Sequence, residues 1–149
     1  MDFPADFAIK EQIPEEILKG LNIEAAACFK GKDDYMVILE NQKQIEELEP
    51  NFQLIARLSD CRGVIATAPG EDCDFISRCF FPQSGVNEDP VTGSAHTLMT
   101  PYWAKRLGKN NLTAEQLSNR KGVLQTELKN DRVKLIGQAK TYLKGEIEI

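Results

Sequence analysis

The segment NEDPVTGSAH, Asn87 to His96, gathers Glu88, Asp89, Ser94 and His96 around one proline and one glycine. Two carboxylates, a hydroxyl and the chain's single imidazole in such a span suit two kinds of chemistry, the holding of an anion and the moving of a proton. Asp89 precedes Pro90, which favours extended backbone there and disfavours helix. Thr92 is a natural N-cap, and the next three residues, Gly93, Ser94 and Ala95, then present backbone amides that lack helical partners. Gly93 allows another molecule to come close, so oriented amides at a helix start can hold a carboxylate or phosphate. A carboxyl group beside a bound anion is pushed toward its protonated form, which suits sharing a proton.

Each of these residues also has a purely architectural reading. Asp89 can serve as a turn residue, Ser94 as an ordinary first-turn helical residue, and no GxSxG elbow is present to activate it. His96 falls in the second helical turn, where it is either a buried, hydrogen-bonded structural residue or a group supporting the site. Glu88 is expected to face water. Upstream, Arg78 alternates with Ile76 and Phe80 on one strand face and is read either as an edge arginine reaching water or as one aimed into a pocket.

The elements that position this loop follow from periodicity. Residues 1–14 read as irregular. IPEEILKGLN predicts a short helix, with Pro14 at its start, Glu15 and Glu16 against its positive end and Gly20 to stop it. EAAACFKG and DYMVILE predict an antiparallel hairpin around GKDD, and the second run is apolar on both faces. Residues 41–60 predict two helical pieces interrupted at Pro50, with Asn51 capping the second. GVIATAP and FISRCFFP predict strands on either side of the turn GEDCD. The longest helix runs approximately from Thr92 to Gly108, with Ala95, Leu98, Met99, Tyr102, Trp103 and Leu107 as an apolar band and a bend expected at Pro101. LTAEQLSNR predicts a short helix started by Thr113, and residues 121–149 predict a hairpin with an extended last strand and a bulge or close approach at Gly137. The arrangement that buries the most apolar area is a strongly curved mixed sheet around the Gly93–Leu107 helix.

The totals narrow the function. A chain of 149 residues makes one domain with a sizeable core. A net charge of −5 argues against nucleic acid and anionic membranes as partners, while leaving room for a small positive pocket. Cys28, Cys61, Cys73 and Cys79 form no CxxC pair and one histidine cannot complete a zinc set, so no metal is expected. Scattered cysteines and no apolar run of membrane-spanning length point to a cytoplasmic chain.

Over DFISRCFFPQSGVNEDPVTGSAHTLMTPYWAKRLGK the chain resembles the phenazine-biosynthesis-like (PhzF-like) isomerases, whose members share the diaminopimelate epimerase-like fold. EDPVTGSAH is a highly specific motif. DFPA at Asp2 to Ala5, LEPNFQLI, GVIATAP, EQLSNRKG around Gln116, Ser118 and Arg120, and RVKLIGQA are similar to further landmarks in family order. Departures are Val86 where isoleucine is common, Cys79 where an aromatic is common, and Lys121 where glycine is usual.

The resemblance implies an α/β fold of the α+β type: a diaminopimelate epimerase-like domain over residues 1–149, with a curved, mostly antiparallel or mixed sheet around a central helix. It implies that this is the second of two family domains. The first, with its proton-transferring glutamate and a Gly-Asn-Pro-Ala segment, has no match here. Asp89 corresponds to the acidic residue of the second domain, and Gly93, Ser94 and Ala95 to the segment that binds the substrate carboxylate. No cysteine falls where related epimerases carry theirs.

The function expected on this basis is cofactor-independent isomerisation by proton transfer on a small carboxylic acid, with Asp89 assisting and His96 and Arg78 as supporting candidates. The other expectation is a catalytically inactive or partner-dependent domain that binds a small anion. A face normally covered by the first domain would be exposed, which favours a homodimer or association with a separate first-domain polypeptide.

Overall fold

The computed structural model describes residues 1–148. In chain order the elements are β1 (Asp2–Pro4), β2 (Ile9–Glu11), α1 (Glu15–Leu21), β3 (Ala27–Lys30), β4 (Asp34–Ile38), α2 (Gln42–Glu46), α3 (Phe52–Ile55), β5 (Gly63–Pro69) and β6 (Phe75–Phe80). A 3-10 turn at Pro82–Ser84 then leads to α4 (Gly93–Leu107), β7 (Asn111–Gln116), β8 (Gly122–Lys129) and β9 (Arg132–Ile136).

All nine strands join one sheet in the order β1-β9-β8-β7-β6-β5-β4-β3-β2. The pairs β4/β5 and β6/β7 are parallel and the remaining pairs antiparallel, so the sheet is mixed. The connectivity requires strong curvature. β1 and β2 occupy opposite edges of the nine-stranded sheet, yet only residues 5–8 separate them. Those few residues reach at most about 17 Å when fully extended. A flat sheet with eight strand spacings would hold its edges roughly 38 Å apart. The sheet therefore curls until its edges approach each other, and α4 lies inside the curl.

Two apolar cores result. On the concave side Met36, Ile38, Ile65, Phe75, Cys79 and Leu112 pack against Ala95, Leu98, Met99 and Trp103 of α4. On the convex side Tyr35, Val37, Val64, Ala66, Ile76 and Phe80 pack against Ile17 and Leu21 of α1, Ile45 of α2 and Ile55 of α3. β4 is buried at all five positions because it is covered on both faces, as its two-sided apolar pattern predicts. Asn51 caps α3 as expected, its Oδ1 accepting from the Leu54 amide at 3.2 Å.

Pro101 sits inside a continuous α4. Its missing amide leaves the Thr97 carbonyl free, and that carbonyl accepts from the Asp6 amide at 3.0 Å. The proline thus ties the β1–β2 linker across the mouth of the curl. Leu107 is 41% exposed and falls outside the apolar band expected for this helix.

Three local expectations are corrected. Residues 2–4 and 9–11, read as irregular, form β1 and β2, which are completed by β9 and β3 from distant sequence. The expected helix LTAEQLSNR is instead the strand β7 as far as Gln116, followed by a turn. Leu112, Ala114 and Gln116 alternate into the core between β6 and β8. Thr113 caps nothing, because its amide and hydroxyl both donate to Asp74 Oδ2, at 2.8 and 3.2 Å. The last strand ends at Ile136, and residues 137–148 join no ladder. Nothing lies within 4 Å of the position a Cβ would take at Gly137, so no close approach explains that glycine.

Candidate functional site

Asp89 to Thr92 forms the link between the end of β6 and the start of α4. The loop is held at nearly every polar backbone atom. The Asp89 amide donates to the Cys79 carbonyl at 3.0 Å. Ser118 Oγ donates to the Pro90 carbonyl at 2.9 Å. Gln116, fully buried at the end of β7, secures the rest. Its Nε2 donates to the Asp89 carbonyl at 2.6 Å and to Thr92 Oγ1 at 3.1 Å, while its Oε1 accepts from the Thr92 amide at 2.8 Å. Both amide hydrogens and the amide oxygen are used, so the network dictates the orientation of this side chain.

Thr92 is the N-cap of α4 by position, but its hydroxyl does not cap the helix. It donates to Asp89 Oδ2 at 2.5 Å instead. Two features follow. The amides of Gly93, Ser94 and Ala95 receive no side-chain cap, and Asp89 is held by one oxygen while Oδ1 has no hydrogen-bond partner among the described residues. A Cβ added at Gly93 would meet only Leu135 Cδ1 at 3.6 Å, so packing does not demand a glycine at that helix start.

Ser94 is exposed, and its Oγ accepts from Arg62 Nη2 at 3.0 Å. With the oxygen engaged as an acceptor, the hydroxyl hydrogen is directed away from Arg62 and available to another group. Arg62 is itself fixed by Asp34 through Nε at 3.1 Å and through Nη2. Burial pushes the Asp34 carboxyl up against the opposing pull of Arg62, and the Asp34 contact holds the guanidinium more firmly protonated.

The neighbouring carboxylates separate. Asp89 turns toward α4, whereas Glu88 turns toward the convex side and meets Arg78 at 2.7 and 2.9 Å. The expectation that Glu88 faces water is therefore corrected. Arg78 neither reaches open water nor points at the loop. Its Nη1 also donates to the carbonyls of Ile45 and Leu48 at 3.2 and 2.7 Å, capping the end of α2. The side chains of this pair are only 14% and 18% exposed. Replacing Arg78 by methionine should cost about 2 kcal/mol, since it leaves a largely buried carboxylate and two carbonyls unpaired. Urea unfolding would check this, and an unchanged midpoint would show the pair to be dispensable.

His96 lies behind the loop, fully buried. Its Nδ1 is 2.7 Å from the Thr92 carbonyl, an acceptor, so Nδ1 carries the hydrogen and Nε2 is a lone pair with no partner among the described residues. The ring packs near Phe75, with centroids 6.0 Å apart. It steadies the helix start through the Thr92 carbonyl.

The cysteines do not enter the site's chemistry. All four are free thiols, and burial pushes Cys28 and Cys61 up to about 11 and raises Cys79 further. Among the described residues no group of three His, Cys, Asp or Glu side chains could hold a metal ion, and no helix is long and apolar enough to cross a membrane.

Asp89, Gly93, Ser94 and Ala95 are thus brought to one helix start, and Arg78 is not. Arg62 and Asp34 were not read from the sequence, where they lie 32 and 60 positions before Ser94 and carry no motif. Gln116 was recognisable as a landmark, but its element was read as a helix that would not aim it at Thr92.

Comparison with known proteins accounts for the motif. Residues 4–145 match a family model described as phenazine biosynthesis-like protein. The chain is 44% identical over 150 residues to an uncharacterized isomerase of Halalkalibacterium halodurans, covering 99% of this chain and 56% of that protein. It is 46% identical over 149 residues to an uncharacterized isomerase of Pseudomonas aeruginosa, covering 100% of this chain and 57% of the relative. A crystal structure of a phenazine biosynthesis PhzF-family protein from Enterococcus faecalis superposes with a TM-score of 0.85 at 37% identity, over 96% of this chain and 57% of that one. The chain therefore spans a little over half the length of the relatives it matches.

Proposed function

The chain belongs to the phenazine biosynthesis-like family, and from that premise we propose that it forms the carboxylate-binding side of an isomerase site. The reaction is cofactor-independent proton transfer on a small carboxylic acid. The observation that carries this reading is the uncapped helix start beside a half-engaged carboxylate. The amides of Gly93, Ser94 and Ala95 and the Ser94 hydroxyl hold the substrate carboxylate. Asp89 Oδ1 takes or returns the proton, while Thr92 and Gln116 keep the rest of the residue still.

In this reading a second proton-transfer group works with Asp89 within reach of the reacting atoms. Glu88 is engaged by Arg78 and His96 is buried behind the loop, so neither supplies it. In this reading the second group comes from the counterpart of the family's first domain. The separation of Glu88 from Asp89 also favours a second reading, in which the chain alone binds a small anion without turning it over.

Titration with acetate followed by amide chemical shifts tests the binding step common to both. Saturable shifts are expected at Gly93, Ser94 and Ala95. The Ser94→Ala variant should bind about tenfold more weakly, the loss of one hydrogen bond to a charged group. If those amides stay unmoved in a folded protein, the helix start is architectural and both readings fail.

A further inference from the structure

Arg62 stands at the foot of β5, between the carboxylate that begins β4 and the start of α4. Its amide donates to the Asp33 carbonyl at 2.6 Å, and its guanidinium lies over the Phe81 ring, 5.3 Å from the centroid. Asp34, whose side chain is 5% exposed, accepts from Nε at 3.1 Å and from Nη2. Two bonds along one edge fix the plane of the guanidinium. The other Nη2 hydrogen goes to Ser94 Oγ at 3.0 Å. Nη1 hydrogen-bonds to no described residue, and the side chain is 39% exposed.

A guanidinium is planar, so the outward N–H of Nη1 runs parallel to the Nη2 N–H that meets Ser94. An oxygen accepting from Nη1 therefore lies beside Ser94 Oγ, within reach of the hydroxyl hydrogen that Ser94 directs away from Arg62. We infer that Arg62 is a substrate-binding residue, which rests on the reading of this helix start as a carboxylate site. One oxygen of the substrate carboxylate sits in the fork between Arg62 Nη1 and the Ser94 hydroxyl, and the other turns to the uncapped amides of α4. Asp34 offsets the guanidinium charge, so Arg62 contributes a directed donor more than a net positive field. Asp34 is then a positioning residue, since it holds the plane that aims Nη1. The site recognises a carboxylate through groups from two elements, the start of α4 and the residue before β5, and not through the helix start alone.

Acetate titration followed at the Gly93, Ser94 and Ala95 amides tests this, with affinities compared through the initial slopes of the shifts. Arg62→Gln alone would leave the buried Asp34 carboxylate unpaired, so Asp34→Asn accompanies it and keeps the fold. The paired variant should bind acetate about tenfold more weakly, the loss of one hydrogen bond to a charged group. The same two changes are then made in the Ser94→Ala protein. There a further loss of about tenfold is expected, because Nη1 meets the anion directly. An affinity that the paired variant leaves unchanged would overturn the proposal while the carboxylate reading of the helix start stands. A loss that vanishes once Ser94 is alanine would also overturn it, showing that Arg62 only orients the hydroxyl. Amides that ignore acetate in the unaltered protein would instead remove the carboxylate site itself, and this role of Arg62 with it.

Discussion

Replacing Gln116 with alanine is expected to lower the stability of the fold by about 3 kcal/mol and to weaken anion binding at the helix start that it braces through Thr92. The side chain is fully buried and makes three hydrogen bonds, to the Asp89 carbonyl, the Thr92 hydroxyl and the Thr92 amide. Truncation leaves the Asp89 carbonyl and the Thr92 amide without partners, takes a donor from the Thr92 hydroxyl, which keeps its bond to Asp89, and opens a cavity beneath them. An unsatisfied buried polar group costs about 1–3 kcal/mol, and partial relaxation or an entering water keeps the total below a simple sum. The functional consequence is separate. Thr92 holds Asp89 and begins α4, so releasing it loosens the carboxylate and the first helical amides together. Urea unfolding gives the first quantity, and acetate titration of the still-folded variant gives the second. Destabilisation under about 0.5 kcal/mol, with acetate shifts unchanged, would mean that the loop holds its shape without this bridge.

The second large effect is on pH dependence. Burial lowers the pKa of His96 from 6.5 to about 4, only partly opposed by its hydrogen bond to the Thr92 carbonyl. Between those values the unfolded chain binds a proton that the folded chain refuses. Stability contributed by the neutral ring is therefore complete above pH 6.5 and declines as the pH falls, until it is lost near pH 4. The integrated effect is about 3 kcal/mol. Asp34 works in the opposite direction, since its raised carboxyl pKa makes the folded state bind protons more readily. The informative quantity is thus the difference between this protein and its His96→Asn variant. The asparagine amide can keep the bond to the Thr92 carbonyl but has no proton to gain. Denaturant unfolding from pH 7 to pH 4 should show a steeper acid loss for the protein with histidine, and parallel curves would contradict a buried neutral ring.

Much of the molecule was legible in the residue order because its causes are local. The alternation in DYMVILE marks a strand buried on both faces, and the run from Gly93 to Leu107 has the apolar spacing of a helix despite Pro101. EDPVTGSAH carries the helix start within itself, since a proline-restricted aspartate, a threonine and three successive amides need no distant partner to be arranged in that order. The motif is specific enough to indicate the family from the sequence.

What the order of residues did not determine depends on groups that are distant along it. LTAEQL carries helix-start signals at Thr113 and Glu115, but as β7 it gains two ladders, with β6 and β8, and hydrogen bonds to Asp74. Those non-local bonds outweigh propensities worth a few tenths of a kcal/mol per residue. Residues 2–4 and 9–11 become strands only because β9 and β3 provide edges for them. The roles of Glu88 and Asp89 also required the tertiary structure: adjacency placed two carboxylates together, and the fold paired one with Arg78 and left the other beside Thr92. Thr92 itself shows the same division. Its position at the cap is written in the sequence, but its hydroxyl goes to Asp89 because Gln116, brought in by β7, occupies its amide and shares its oxygen.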